Sequence, residues 1–486
     1  MSEEGIKPNK LKLFVENFLV YGFGGIISKL VPLIMIPVIT RIMPSTDYVG
    51  LYDMSNTVVS FASALAIMGM YDAMYRMFFE KDDENYKKDI CSTALTFTMI
   101  MSVVVFILLI LLKDIIAKYF FESPKYAYLV YLSAIATLVG ATNSIISAPT
   151  RMQNKKRIFL ITNTISPLIS YGISIPMLLA GHYVIALPLA AIISALCMEI
   201  TFYILNKKWF EPKRFDKKAL KTLLAIGVPL FPNFIVYWLF NSSDKLMITN
   251  MIGLGAAGIY SVGSKLGHAS QLIYSAFAGG WQYFAFSTMK DKDQVKSNSL
   301  VFEYLGIISY VVTLFICAFS CLIFKILFPK EYQEGYIVAP YLFLAPLLQM
   351  LFQVAANQFI VIKKTWPNML ILLGGAIINV LLNLILIPLI GIEGASIATL
   401  LGYVVSDIVC VIVLCKMKLM VVSKRFIISS LMMVSFFLVW RLLFSSNTVL
   451  GVMMALLTSF AFIMFYRNEL KTIISKIKSF RGMRKA

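Results

Sequence analysis

The sequence predicts an all-α polytopic membrane protein with about fourteen transmembrane helices, each needing roughly 20 mostly apolar residues to cross the hydrocarbon. The first observation is composition: 59% of the 486 residues are hydrophobic, 14% are charged, and the mean hydropathy is +0.80. A soluble domain needs about a quarter of its residues charged to cover its surface. The second is that apolar stretches of spanning length recur along the whole chain. The third is that basic residues collect in alternate segments between those stretches.

The expected spans are 14–40, 49–72, 91–112, 126–148, 158–180, 184–205, 222–246, 256–286, 302–324, 336–361, 366–389, 394–415, 426–444 and 448–466. The polar segment 1–13 leads into a stretch too long for a signal-peptide core and without a small-residue cleavage site, so it reads as a retained first span. With the N-terminus placed in the cytoplasm, the cytoplasmic segments hold 34 Lys and Arg and the outer segments 8, with Lys29 and Lys265 inside spans. The positive-inside rule then puts both termini in the cytoplasm. The net charge of +19 belongs to these loops and the tail, where it faces anionic lipid, so no nucleic-acid partner is expected.

Several function classes drop out. The six cysteines lie in or beside apolar spans, so no structural disulfide is expected. The two histidines, His182 and His268, are far apart, and no Cys/His spacing of a metal site or phosphate-binding loop occurs. No cofactor is expected. The longest polar loops, 73–90 and 206–220, are short for a lipid-modifying enzyme, which would need clustered catalytic acids, His or Arg outside the membrane.

The chain carries an internal repeat. Val49-Gly50-Leu51-Tyr52 lies over Ala257-Gly258-Ile259-Tyr260 at an offset of 208, and Lys155-Lys156 lies over Lys363-Lys364 at the same offset. Gly181 matches Gly391 at 210. Each match falls at the same point of the span order, and six spans per repeat make the two halves parallel. The expected organisation is a six-helix bundle (1–205), a cytoplasmic linker (206–221), a second six-helix bundle (222–415), and two extra helices with a basic tail (416–486). Trp209, Phe210 and Phe215 give the linker an interfacial reading. The tail puts Leu470, Ile473, Ile474, Ile477 and Phe480 on one face, and reads equally as interfacial or as an ordinary orientation-setting tail.

Ionisable groups within a bilayer are functional candidates because they are costly there. Lys29 is about 15 Å from either interface at 1.5 Å per residue, so snorkelling serves it poorly. Lys265 borders a stripe of Ser261, Ser264, His268, Gln271 and Ser275 at helical spacing, and the repeat mate carries Asp53, Asn56, Ser60 and Ser63. The seventh span adds Asn233, Tyr237, Asn241 and Asp244. Two bundles facing each other along spans 1, 2, 7 and 8 would enclose a wet cavity with a lysine from each half. The bland reading is that such groups join helices by hydrogen bonds. Ammonium groups attract phosphate, and the hydroxyl and amide groups match sugars. Asp72, Glu199 and Asp407 either carry a coupling proton or pair with basic loops. Asp244, another coupling candidate, and Lys245 are expected to neutralise each other.

Gly24-Gly25-Ile26-Ile27-Ser28-Lys29-Leu30, Ile36-Pro37-Val38-Ile39-Thr40-Arg41 and Tyr48-Val49-Gly50-Leu51-Tyr52 resemble the opening of the polysaccharide-transport family of flippases. That family belongs to the multidrug/oligosaccharidyl-lipid/polysaccharide exporter superfamily. Gly227-Val228-Pro229-Leu230 with Asp244-Lys245-Leu246-Met247-Ile248 resembles its seventh helix, and Pro388 to Ala395 its eleventh-to-twelfth hairpin. The resemblance implies two six-helix bundles in a V shape, alternating access, and a bacterial cytoplasmic-membrane location. It also implies an undecaprenyl-diphosphate-linked oligosaccharide substrate for O-antigen, capsule or exopolysaccharide synthesis, with polymerase and glycosyltransferase partners. A peptidoglycan lipid-precursor flippase and a cation-coupled multidrug antiporter of the same fold are the alternatives. Lysines in place of cavity arginines disfavour the first. Lysines where acids are needed disfavour the second.

Overall fold

The computed structural model describes residues 30–275, 277, 281, 285, 289, 291–364 and 366–469. Its helices are α1 (Leu30–Ile42), α2 (Thr46–Ile67), α3 (Met70–Phe78), α4 (Glu84–Leu111), α5 (Lys113–Phe121), α6 (Ala127–Met152), α7 (Lys156–Leu179) and α8 (Ala186–Asn206). They continue as α9 (Lys217–Met251), α10 (Leu254–Gly267), α11 (Gln294–Leu327), α12 (Val338–Val361), α13 (Trp366–Lys416), α14 (Lys424–Val439) and α15 (Thr448–Phe465). No strand occurs among the described residues.

Among the described residues, ten helices are long and apolar enough to cross a membrane, or eleven when α2 and α3, bent by 46°, count as one span. The 51-residue α13 holds two expected spans, because Ile390 and Gly391 leave helical geometry. The first expected span is described only from residue 30, and the eighth only in part beyond residue 275. Lys29 and the tail beyond residue 469 lie outside the described residues.

Local chemistry sets the boundaries. Ser45, Asp83, Asp216, Ser423 and Asn447 cap the starts of α2, α4, α9, α14 and α15 by accepting backbone N–H groups. The α2–α3 bend falls at Met68 (φ 47°) and Gly69 (φ 70°). Glycine suits Gly69 twice over: its φ is left-handed, and a Cβ there would lie 2.3 Å from the carbonyl oxygen of Gly227 on α9.

Helices α2, α4, α6, α7 and α8 pack on one another, and α9, α10, α12 and α13 form a second group joined by α11. α15 packs on α11, with α14 beside both. The halves meet where α2 crosses α10, and where α2 and α3 lie against α9. At one end Gly50 and Gly258 touch across the crossing. A Cβ on Gly50 would lie 2.2 Å from Leu254 O, and one on Gly258 would lie 2.1 Å from Thr46 O. Leu254 and Thr46 are themselves one repeat offset apart, so the crossing is self-complementary.

The other repeat matches also have structural counterparts. Gly181 (φ 87°) and Gly391 (φ 64°) both turn the chain with left-handed backbone. After α6 and after α12 the chain closes the helix identically, with Asn154 (φ 54°) and Lys363 (φ 60°) at the turn. There Lys155 N reaches Thr150 O and Lys364 N reaches Phe359 O. The equivalence therefore drifts from 208 through 209 to 210 along the repeat.

The linker is held more firmly than an interfacial segment needs. Trp209 and Phe210 are buried against Met70, Phe78 and Leu223, leaving Phe215 exposed. Ser92 Oγ donates to Trp209 O, and Arg214 bridges Glu211 and Asp89. Arg214 and then Lys88 hold the Glu211 carboxyl below its ordinary range by hydrogen bonding.

Candidate functional site

The crossing of α2 and α10 places charged side chains between the halves. Asp53 lies one helical turn beyond Gly50, and its side chain is only 5% exposed. It meets Lys245 Nζ of α9 at 2.9 Å. Lys265 of α10 lies within electrostatic reach of Asp53. Ser261 is the repeat counterpart of Asp53. The ammonium of Lys265 lies 5.6 Å from the centroid of the Tyr52 ring, within range of a cation–π attraction.

This corrects the expectation that Asp244 and Lys245 neutralise each other. Adjacent helical residues do not share a face, and these two point into different networks. Lys245 reaches across to Asp53. Asp244, 3% exposed, accepts from the Tyr260 hydroxyl, from Lys245 N at 2.8 Å and from Thr399 Oγ1 at 3.5 Å. Asn379 continues that network by donating to Thr399 Oγ1 at 3.0 Å and accepting from Ser243 at 3.3 Å. Lys245, counted among the outer segments in the charge tally, is thus part of the interface between the halves.

Beside this cluster is a cavity of about 180 Å³ lined by Pro32, Ile36 and Thr40 of α1, Tyr52 and Asn56 of α2, Tyr171 of α7 and Lys265. Asn56 also borders a second cavity of about 190 Å³ behind α2, with Ser55 and Ser133. The structure therefore brings together Asp53, Asn56 and Lys265 from the predicted set, and adds Lys245, Tyr52 and Tyr260.

Other predicted residues are placed differently. Ser264 is buried, but its hydroxyl donates to Ser261 O. His268 is half-buried with its Nδ1 2.8 Å from Ser264 O. α10 gives way to a tighter turn at His268–Ser270, so the stripe expected to run on to Gln271 and Ser275 is not one continuous α-helical face. Gln271 and Asn233 are half-buried. Tyr237 lines a separate cavity of about 130 Å³ with Tyr274, Gln349 and Asn357, and Asn241 donates to Tyr237 O.

Of the remaining acids, none pairs with a basic loop among the described residues. Glu199 accepts from Thr142 Oγ1 of α6 at 2.5 Å, Asp72 is exposed on α3, and Asp407 is 7% exposed with neither carboxylate oxygen hydrogen-bonded.

Comparison with known proteins agrees with this architecture. Residues 38–337 match the family model described as polysaccharide biosynthesis protein. An uncharacterized membrane protein of Methanocaldococcus jannaschii is 22% identical over 369 residues, covering 72% of this chain and 85% of that protein. Among solved structures, the lipid II flippase MurJ in an inward closed conformation is similar at a TM-score of 0.70 and 16% identity, covering 94% of this chain and 99% of that one. An outward-facing multidrug resistance MATE family transporter of the MOP superfamily is similar at a TM-score of 0.61 and 12% identity, covering 84% of this chain and 95% of that one. The chain belongs to the polysaccharide biosynthesis protein family, and its fold is the one that lipid flippases and multidrug transporters share.

Proposed function

We propose that the protein is a flippase that turns an undecaprenyl-diphosphate-linked oligosaccharide from the inner to the outer leaflet by alternating access, for cell-surface polysaccharide synthesis. One observation carries the reading: where the two halves meet, Lys245 pairs with Asp53 at 2.9 Å and Lys265 lies within electrostatic reach of the same carboxylate. A diphosphate entering there meets ammonium groups with little else to neutralise them, and Lys29 would add a third from the first span. Tyr52 and Asn56, which line the cavity beside the cluster, offer hydrogen bonds to sugars, while the polyprenyl tail stays in the bilayer.

Both termini and the 73–90 loop are assigned to the cytoplasm from the charge asymmetry. The polymerase and glycosyltransferases that consume and build the repeat unit are the expected partners. Asp72, Glu199, Asp244 and Asp407 are the groups available to couple flipping to an ion gradient. The lysines beside Asp53 oppose a drug antiporter, whose cationic substrates would require acids to dominate there.

Lipid-linked glycans in a deletion strain test the reading. Complete repeat units should accumulate on the inner leaflet and disappear on complementation. Normal glycan export with altered sensitivity to cationic drugs would favour the antiporter, and accumulation of the peptidoglycan precursor would favour that substrate.

A further inference from the structure

A polar cavity of about 320 Å³ lies away from the interface of the halves, between α6, α7 and α8. Asn143, Ser147, Thr150 and Arg151 line it from α6, and Thr162, Asn163 and Ser166 from α7. Arg151 lies at the end where α6 turns into α7, beside Lys155, Lys156 and Arg157 in sequence. Asn143 lies eight residues deeper along α6, about 12 Å at 1.5 Å per residue.

The hydrogen bonding of this lining is one-sided. Thr162 Oγ1 donates to Ile158 O and Ser147 Oγ to Ser144 O, so these hydroxyl protons are committed to their own helices, and Asn163 Nδ2 spends one of its two N–H donors on Phe159 O. Asn206 donates to Thr150 Oγ1. Ser194 donates to Ser166 O, which leaves the Ser166 hydroxyl to donate to Ser194. Asn143 Oδ1 is buried with no partner among the described residues, an arrangement that costs free energy unless a donor arrives. The wall thus presents oxygen acceptors, with one cation at the mouth. Arg151 is oriented by donating to Tyr71 OH at 3.2 Å and by stacking 5.2 Å from the Phe159 ring centroid. Further N–H donors remain on its guanidinium.

Acceptors in depth and a guanidinium at the mouth complement a ligand with hydroxyl donors and a phosphate. We propose that this cavity is a second binding site, for the phosphate-and-hydroxyl headgroup of an anionic lipid. The phosphate is held by Arg151, and the hydroxyls donate to Asn143 Oδ1, Asn163 Oδ1 and the serine oxygens. A phospho-sugar on a polyprenyl chain and a glycerol-bearing phospholipid share this chemistry. The site does not depend on what passes between the two halves.

The test is lipid binding by the purified full-length protein, followed by native mass spectrometry. The probes are phosphatidylglycerol, a polyprenyl phosphoryl-hexose, phosphatidic acid and phosphatidylcholine. Arg151→Gln should weaken phosphatidylglycerol or the phosphoryl-hexose by about tenfold, the scale of a charge-assisted hydrogen bond, and leave phosphatidylcholine unchanged. Arg151→Lys should keep part of that affinity. Asn143→Leu should weaken the hydroxyl-bearing probes relative to phosphatidic acid. Preference for the hexose lipid would identify a glycan carrier as the source, and preference for phosphatidylglycerol a bulk lipid. Lys265→Gln should leave this binding intact, which separates the site from the central one. Equal binding by wild type and Arg151→Gln, or a uniform change across all four lipids, would overturn the proposal.

Discussion

Substituting Gly50 by Ala should drive α2 and α10 apart, and the structure sets the size of the effect. The added Cβ would lie 2.2 Å from Leu254 O and 3.3 Å from Gly258 N. Close carbon–oxygen contacts in proteins settle near 3.3–3.6 Å, so the helices must separate by about 1 Å. Overpacking of this kind costs about 1–3 kcal/mol, which is about 5- to 150-fold against the state in which the helices touch. Gly258→Ala should do the same, because its Cβ would lie 2.1 Å from Thr46 O. Gly172→Ala is the control, since nothing lies within 4 Å of that position. Spin labels at Pro44 and Met251, read by double electron–electron resonance in proteoliposomes, report the separation. Both interface variants should lose the short-distance population while the control keeps it. Wild-type distance distributions for Gly50→Ala and Gly258→Ala would refute the claim that this glycine pair closes one end of the molecule.

Asp53→Asn should destabilise the contact between the halves, since it leaves Lys245 and Lys265 without their shared carboxylate. Breaking a buried pair costs about 3–5 kcal/mol, and exchanging the charges as Asp53→Lys with Lys245→Asp should restore part of the loss in thermal unfolding; an unshifted transition for the single variant would mean the pair contributes nothing. Asp407→Asn should keep or raise thermal stability, because it removes a carboxylate buried without a partner, and should abolish any response of flipping to an imposed pH gradient if Asp407 is the coupling group. A fall of several degrees in Tm would show instead that Asp407 has a structural role. Impermeant thiol labelling of single cysteines in intact cells should spare 73–90 and the C-terminal tail, and strong labelling at either would reverse the proposed orientation.

The helices were legible because a membrane imposes length and apolarity on each span, and the repeat was legible because its matches fall where geometry is strict. Gly50 and Gly258 are limited by backbone contact, and Gly181 and Gly391 by positive φ. The break between α2 and α3 was not legible, because hydropathy is continuous through Met68 and Gly69 and only the approach of Gly227 reveals the bend. Lys245 was misassigned for a related reason. Its position near a span end and its neighbour Asp244 suggested local neutralisation, yet consecutive helical residues diverge by about 100° and find partners on different helices. The aligned tyrosines Tyr52 and Tyr260 carried an unused signal: one lies under Lys265 and the other holds Asp244. The cavity between α6, α7 and α8 was invisible because its lining of Ser, Thr and Asn is ordinary for membrane helices, and because Arg151 sits in sequence beside Lys155, Lys156 and Arg157, where it looks like one more cytoplasmic loop charge.

The most direct test of the central claim is flipping of a fluorescent polyprenyl-diphosphate oligosaccharide in proteoliposomes, comparing wild type with Lys265→Gln, Lys245→Gln and Lys29→Gln. Each substitution keeps hydrogen-bonding ability and removes a charge, and losing a charge-assisted hydrogen bond to phosphate, worth about 1.5–3 kcal/mol, should lower flipping about tenfold to a hundredfold. Lys265→Arg should keep partial activity, because the charge survives in a different shape. The account predicts that the diphosphate lipid is flipped by wild type, and that the Gln variants flip it far more slowly per folded, inserted molecule, with Lys245→Gln also losing stability because it leaves Asp53 unpaired. Wild-type flipping rates in Lys265→Gln and in the triple variant would contradict the claim that these lysines hold the substrate.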